Sequence, residues 1–146
     1  MSQVNHKPKG FHTVTPYLMV QGAERLLEFL KQAFGAEVRD CTRRPDGAIM
    51  HSDIRIGDSV LELSEANENW KPMNCAIHLY VEDADTTYRR ALEAGATSLY
   101  EPDVKPYGDR EAGVKDPSGN FWFIATHKEE VSKEEFERRM AGAGKS

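Results

Sequence analysis

The chain repeats itself, and that constrains its fold more than any other feature. Leu18-Met19-Val20-Gln21-Gly22-Ala23 is echoed by Leu79-Tyr80-Val81-Glu82-Asp83-Ala84, and Phe34-Gly35-Ala36 by Ala94-Gly95-Ala96, at nearly the same offset each time. A constant spacing of this kind marks an internal duplication. Whatever supersecondary unit the first half forms, the second half is expected to form again.

In the first half, Ala23, Leu26, Leu27, Leu30, Ala33 and Phe34 recur at helical spacing and would share one face of an amphipathic helix, which Gly35 stops. In the second, Asp83 can cap a helix whose inner face carries Ala84, Tyr88, Ala91 and Leu92, with Gly95 as the stop. Each helix follows a strand. Three strands are expected after each: about 36–43, 48–56 and 59–65, then 97–101, 109–115 and 121–126. Gly57-Asp58 suits a two-residue hairpin, and Asp116-Pro117-Ser118-Gly119 a slightly longer turn.

The predicted architecture is α+β: two tandem βαβββ units forming cupped mixed sheets, followed by a short C-terminal helix. Repeat one covers about 13–65 and repeat two about 74–127. Ser132 and Glu135 form a capping box with Val131 and Phe136 as its staple, so the helix should run over about 133–140 and brace the surface. Residues 1–12 and 141–146 offer little to bury and are expected to be loosely held. At 146 residues, 39% of them hydrophobic, the chain is the size of one domain, 1–146.

Composition excludes several functional classes. No apolar run is long enough to span a bilayer, and no signal-peptide core follows the first lysines, so a cytoplasmic protein without a membrane partner is expected. Cys41 and Cys75 stand far apart without a CxxC pattern, which suggests neither a disulfide framework nor a structural zinc site. A net charge of −5 with scattered Arg pairs leaves no footprint for nucleic acid. Gly144-Lys145-Ser146 is not a phosphate-binding loop, because Arg139 stands where that motif needs its first glycine.

Period two sorts the strand residues into faces. A hairpin at Gly57-Asp58 sets Ile56 opposite Ser59, Asp53 opposite Glu62 and His51 opposite Ser64. His51, Asp53, Arg55, Glu62 and Ser64 would then share one face, with Ile54, Ile56, Leu61 and Leu63 turned toward the helix. In the strand before the second helix, Ile77, Leu79 and Val81 suit the helix side, leaving Ala76, His78 and Tyr80 on the pocket side. Cys75 falls with the core set, which reads as a small buried hydrophobe rather than a nucleophile paired with His78.

The duplicated unit, the "LMVQGAERLLEFLKQAFGAE" and "LYVEDADTTYRRALEAGA" helices, the "IGDSVLEL" hairpin and "DPSGNFWFIATH" together resemble the vicinal oxygen chelate superfamily of glyoxalase I, bleomycin-resistance proteins and extradiol dioxygenases. The match covers about residues 13–127. "PYGDREAGVKDPSGNFWFIATHKEEVSKEE" resembles the PhnB-like subgroup. The resemblance implies cupped sheets completed by homodimerisation around a small molecule and often a divalent metal. The metal-binding positions of glyoxalase I fall on Thr15, Glu62, Ala76 and Phe123. Only Glu62 can ligate, so the usual metal and the carboxylate base at 123 are both missing.

Two readings follow. The leading one is a homodimeric, metal-free protein without a cofactor that binds a small, partly aromatic or anionic molecule through His51, Asp53, Glu62, His78, Tyr80, Tyr107, Arg110 and Phe123. Tyr17, Met19 and Phe121 would add apolar lining, although core packing accounts for any one of these. Tyr107, Gly108 and Arg110 resemble the subgroup's "YGDR" segment and could close over the cavity as a loop. Arg110 could equally pair with Asp103, Asp109 or Glu111. Arg55 or Arg110 is expected to neutralise Asp53 and Glu62, which face each other. The alternative is a metal-dependent lyase, isomerase or dioxygenase with one divalent ion on a shifted site of His51, Glu62 and His78. His127 has pocket parity if its strand extends that far; His6 and His12 have no assigned role.

Overall fold

A computed structural model describes residues 4–143; Gly144, Lys145 and Ser146 lie outside the described residues, as do the first three. Repeat one forms β1 (Tyr17–Val20), α1 (Ala23–Phe34), β2 (Glu37–Arg43), β3 (Ile49–Ile56) and β4 (Ser59–Glu65). Repeat two forms β5 (Ala76–Tyr80), α2 (Ala84–Glu93), β6 (Thr97–Val104), β7 (Asp109–Lys115) and β8 (Phe121–His127), and α3 (Lys133–Ala143) follows. Both repeats therefore adopt the expected βαβββ order.

Each repeat makes its own four-stranded mixed sheet, ordered β1-β4-β3-β2 and β5-β8-β7-β6. In each, the helix carries the chain across so that the first strand pairs in parallel with the last, while the other neighbours are antiparallel hairpins. The β3–β4 register sets Ile56 against Ser59 and Asp53 against Glu62, as the hairpin spacing predicts.

Helix α1 buries Ala23, Leu26, Leu27, Phe29, Leu30 and Ala33, and α2 buries Ala84, Thr87, Tyr88 and Ala91. The helices pack on each other, and one apolar cluster draws on both repeats, with Leu18, Ile54, Leu63, Trp122 and Ile124 fully buried. Each such large side chain contributes about 2 kcal/mol by leaving water. The faces of the two sheets turned away from the helices stay open.

Both helix starts are capped from the same place, the end of the last strand. Glu65 takes the backbone N–H groups of Gly22 and Ala23 at 2.9–3.1 Å, while Thr126 Oγ1 accepts from Ala84 N at 2.9 Å. Asp83 adds the expected side-chain cap to α2 by accepting from Thr86 N. At the last turn of repeat two, buried Asp116 collects the N–H groups of Ser118 and Asn120, the Asn120 amide and the Trp122 indole at 2.8–3.0 Å.

The periphery makes specific contacts of its own. In the segment before β1, Arg39 donates to Lys9 O at 2.9 Å and lies over the Phe11 ring, while Val4 is exposed. Helix α3 continues through Ala143, past the expected end at 140. It does brace the surface, because Arg139 reaches Pro106 O and Glu129.

Candidate functional site

The open face of the first sheet gathers His51, Asp53 and Glu62. His51 Nε2 lies 2.9 Å from Asp53 Oδ1 and 3.4 Å from Glu62 Oε1, and its Nδ1 is 3.3 Å from the Tyr17 hydroxyl. Period two on β3 brings His51 and Asp53 to one face, and the β3–β4 register adds Glu62. All three are half-buried. Arg55, expected to neutralise them, instead donates Nε to Gly57 O.

The open face of the second sheet is built around Glu111 on β7. Its side chain is only 7% exposed, and it accepts from three donors: the Tyr107 hydroxyl at 2.6 Å, the Tyr100 hydroxyl and His78 Nε2 at 3.2 Å. Burial pushes the Glu111 pKa up, but the hydrogen bonds from Tyr100, Tyr107 and His78 outweigh it and hold the carboxyl below its usual range. Burial and then the bond to Glu111 push both phenols well above their ordinary value. A glycine makes this arrangement possible: a Cβ at Gly113 would lie 2.5 Å from the Tyr100 ring.

Aromatic rings flank that carboxylate. His78 packs against Tyr80 at a tilt of 39° with centroids 4.6 Å apart, Phe123 lies 6.5 Å from His78, and Tyr100 stacks on Phe123 at 6.4 Å. Tyr80 is 65% exposed and neighbouring Phe121 41% exposed, while Tyr100 and Phe123 are half-buried, so this aromatic run lies at the surface rather than in the core. A groove of about 580 Å³ borders the same strand and is lined by Ile77, His78, Leu79, Tyr80 and Val81 together with Val60 and Leu61 of β4.

The eight residues singled out from the sequence thus fall into three places. His51, Asp53 and Glu62 meet on the first sheet; His78, Tyr80, Tyr107 and Phe123 meet on the second. Arg110 joins neither, because it alternates with Asp109 and Glu111 on β7 and points to the helix side. There it forms a two-pronged ion pair with Asp85 of α2 at 2.6 and 2.9 Å. The shifted set of His51, Glu62 and His78 is likewise divided, since each histidine groups with carboxylates of its own sheet. His127 has its pocket-side parity and is held between Asp109 and Glu130, which raise its pKa.

Sequence reasoning missed Glu111, Tyr100 and Asp109 as site residues. The repeat itself carries the signal: Glu111 stands two residues before the β8-paired Gly113, as His51 stands two before the β4-paired Asp53. Tyr100 was hidden by irregular pairing on both sides of it in β6. The "YGDR" segment enters β7 at Asp109, as the expected 109–115 strand has it, and Gly108 O accepts from Lys128 and Glu129 N.

The family model of the Glyoxalase/Bleomycin resistance protein/Dioxygenase superfamily matches residues 10–124. The chain belongs to that superfamily. An uncharacterized protein of Mycobacterium bovis is 30% identical over 142 residues, covering 90% of this chain and 93% of the relative. Among solved structures, TioX from Micromonospora sp. ML1 matches with a TM-score of 0.65 at 21% identity, over 78% of this chain and 98% of its own. TnmS3, an antibiotic binding protein from Streptomyces sp. CB03234, matches with a TM-score of 0.61 at 20% identity, over 80% and 98%. A PhnB protein from Bacillus cereus gives 0.61 at 19% identity, over 79% and 99%. These likenesses establish the glyoxalase fold.

The superfamily's usual metal does not fit the positions expected to hold it. Thr15 precedes β1, Ala76 pairs with Phe121, and the ladder partners of Glu62 and Phe123 are Tyr17 and His78. Threonine, alanine and phenylalanine offer none of the imidazole or carboxylate donors such an ion requires.

Proposed function

We propose that this glyoxalase-superfamily protein binds a small, partly aromatic molecule against the open face of the second sheet, as a cytoplasmic homodimer and without the superfamily's usual metal quartet. The observation that carries this reading is the run of Tyr80, His78, Phe123 and Tyr100 rings beside the buried Glu111 carboxylate. Exposed and half-buried rings supply stacking surface, and Glu111 with its two phenols supplies fixed polar partners, the usual composition of a small-molecule site. An aromatic ligand is favoured over an anionic one, because the guanidinium expected to receive an anion is engaged by Asp85.

The homodimer is supported by exposed Tyr17, Tyr80 and Phe121 on the open sheet faces, apolar surface of the kind a second copy could cover. The free thiols of Cys41 and Cys75 suit a reducing compartment. Antibiotic binding by TnmS3 is a property of that protein; it supports the choice of probes here.

A fluorescence and calorimetric screen of polycyclic aromatic compounds, antibiotics among them, tests the ligand reading. Saturable binding without turnover, weakened at least tenfold by Tyr80→Ala and by Phe123→Ala, is the expected outcome. Absence of binding across the panel, or binding by both variants as tight as by the wild-type chain, overturns it. Sedimentation equilibrium tests the dimer separately.

A further inference from the structure

We infer that the open face of the first sheet is a divalent-cation site of its own, in which His51, Asp53 and Glu62 hold one first-row transition ion and Tyr17 orients the imidazole. The site uses only one of the superfamily's usual ligand positions and lies on β3 and β4 rather than across four strands. It does not depend on what binds the second sheet.

Three observations converge on it. The first is geometry. Donors held at about 2.1 Å from a common ion stand roughly 3.0–3.5 Å from one another. His51 Nε2 lies 2.9 Å from Asp53 Oδ1 and 3.4 Å from Glu62 Oε1, and one donor atom from each residue falls within 4.8 Å of the others. An imidazole with two carboxylates is a mixed nitrogen–oxygen set suited to zinc, manganese or iron(II), with positions left open for water or a ligand.

The second is charge. Asp53 faces Glu62 on one side and Asp40 on the other, so three carboxylates stand on consecutive strands. Like charges directly opposite one another are destabilising. Among the described residues no lysine or arginine lies within ion-pair distance of Asp53 or Glu62, and the nearby Arg55 donates to a backbone carbonyl. One imidazole cannot balance that row, whereas a divalent ion can.

The third is the contrast with the other sheet. His78, Asp109 and Glu111 also converge, but Glu111 is already satisfied by Tyr100, Tyr107 and His78, and Asp109 by His127. The first-sheet carboxylates have no such phenolic donors. Their one tyrosine contacts the far nitrogen of His51 instead. With His51 Nδ1–H donating to the Tyr17 oxygen, Nε2 is left free to bind metal, the arrangement that second-shell partners of histidine ligands usually enforce.

Zinc(II) is the probe. The full chain is stripped with chelator, titrated with zinc chloride in a calorimeter, and dialysed for metal analysis, with circular dichroism of every variant to establish folding. The expected result is about one zinc per chain, lost in His51→Ala and Asp53→Asn, retained in Asp109→Asn, and bound about tenfold more weakly by Tyr17→Phe. Absence of zinc binding by the wild-type chain overturns the inference. So does loss of zinc in Asp109→Asn with retention in Asp53→Asn, which would move the ion to the second sheet. Should His51→Ala fail to fold, the isosteric Asp53→Asn decides the matter. Binding of aromatic probes in the presence of chelator is scored separately, so the two readings stand or fall apart.

Discussion

His51 on β3 and Glu111 on β7 occupy the same register position in the two repeats, one two residues before the partner of Glu62 and the other two before the partner of its counterpart Phe123. Duplication has put an imidazole in one sheet where the other holds a carboxylate, and the neighbours have adjusted to each. Glu111 sits between two phenols and an imidazole; His51 sits between two carboxylates and a phenol.

Glu111→Gln should therefore destabilise the second sheet. The amide keeps one acceptor oxygen but sets an NH2 group against a hydroxyl that has lost its carboxylate partner. Loss of charge-assisted bonds at a buried site costs about 2 kcal/mol. Urea unfolding monitored by tryptophan fluorescence measures this, with the expected shift in midpoint and an unchanged slope.

The same residue makes the fold acid-sensitive in a defined window. The folded-state pKa of Glu111 lies below the ordinary value near 4.5, so its contribution is complete above that value and is lost as pH falls through the lower folded-state pKa. Wild type should lose stability in this range more steeply than Glu111→Gln. Parallel curves for the two proteins would refute the assignment.

At the alkaline end the sign reverses. Tyr100 and Tyr107 are raised above the ordinary phenol value near 10, so the folded chain holds protons that the unfolded chain releases, and stability falls as pH rises past 10. A tyrosinate absorbance titration of the native protein should show the Tyr100 and Tyr107 phenols ionising late. Tyr100→Phe and Tyr107→Phe should each remove one late-titrating group.

Asp116 is the strongest single point of failure outside the apolar core. It is 3% exposed and accepts from four donors, among them the Trp122 indole and the Asn120 amide, both fully buried. Asp116→Ala would leave these donors unpaired in the interior at a cost of about 3 kcal/mol or more. Thermal unfolding should show a drop large enough to be seen in expression yield as well.

The fold was legible in the sequence wherever periodicity runs uninterrupted. The α1 stripe, the Gly57-Asp58 hairpin and the pairing of Asp53 with Glu62 all follow from counting residues, because a one-residue slip would have exposed Ile54 and Leu63. Half of the site was legible for the same reason. Counting fails where strands are irregular: Tyr100 lies between two register shifts, so its approach to Glu111 could not be read from parity. Arg110 was misplaced for a different reason. Period two on the expected 109–115 strand already puts Arg110 on the face opposite Asp109 and Glu111, but its partner Asp85 lies on α2, 25 residues away, where strand counting alone does not reach.

Glu65 and Thr126 carry a last prediction, because they perform one task with different chemistry. Each stands at the C-terminal end of the last strand of its repeat, Glu65 as its final residue and Thr126 one before the final His127, and receives the first N–H groups of that repeat's helix, Glu65 as a charged acceptor for two donors, Thr126 as a neutral acceptor for one that also donates to Val81 O. Helix α1 begins at Gly22 without a side-chain cap of its own, whereas α2 has Asp83. Removing the strand-end partner should therefore hurt the first repeat more: about 1.5 kcal/mol for Glu65→Ala against about 0.5–1 kcal/mol for Thr126→Val. The Glu65 effect should also shrink in high salt, since part of it is attraction to the helix dipole. Native-state hydrogen exchange at the first turn of each helix reads both losses locally, and equal effects at the two ends would show that Asp83 contributes nothing to α2.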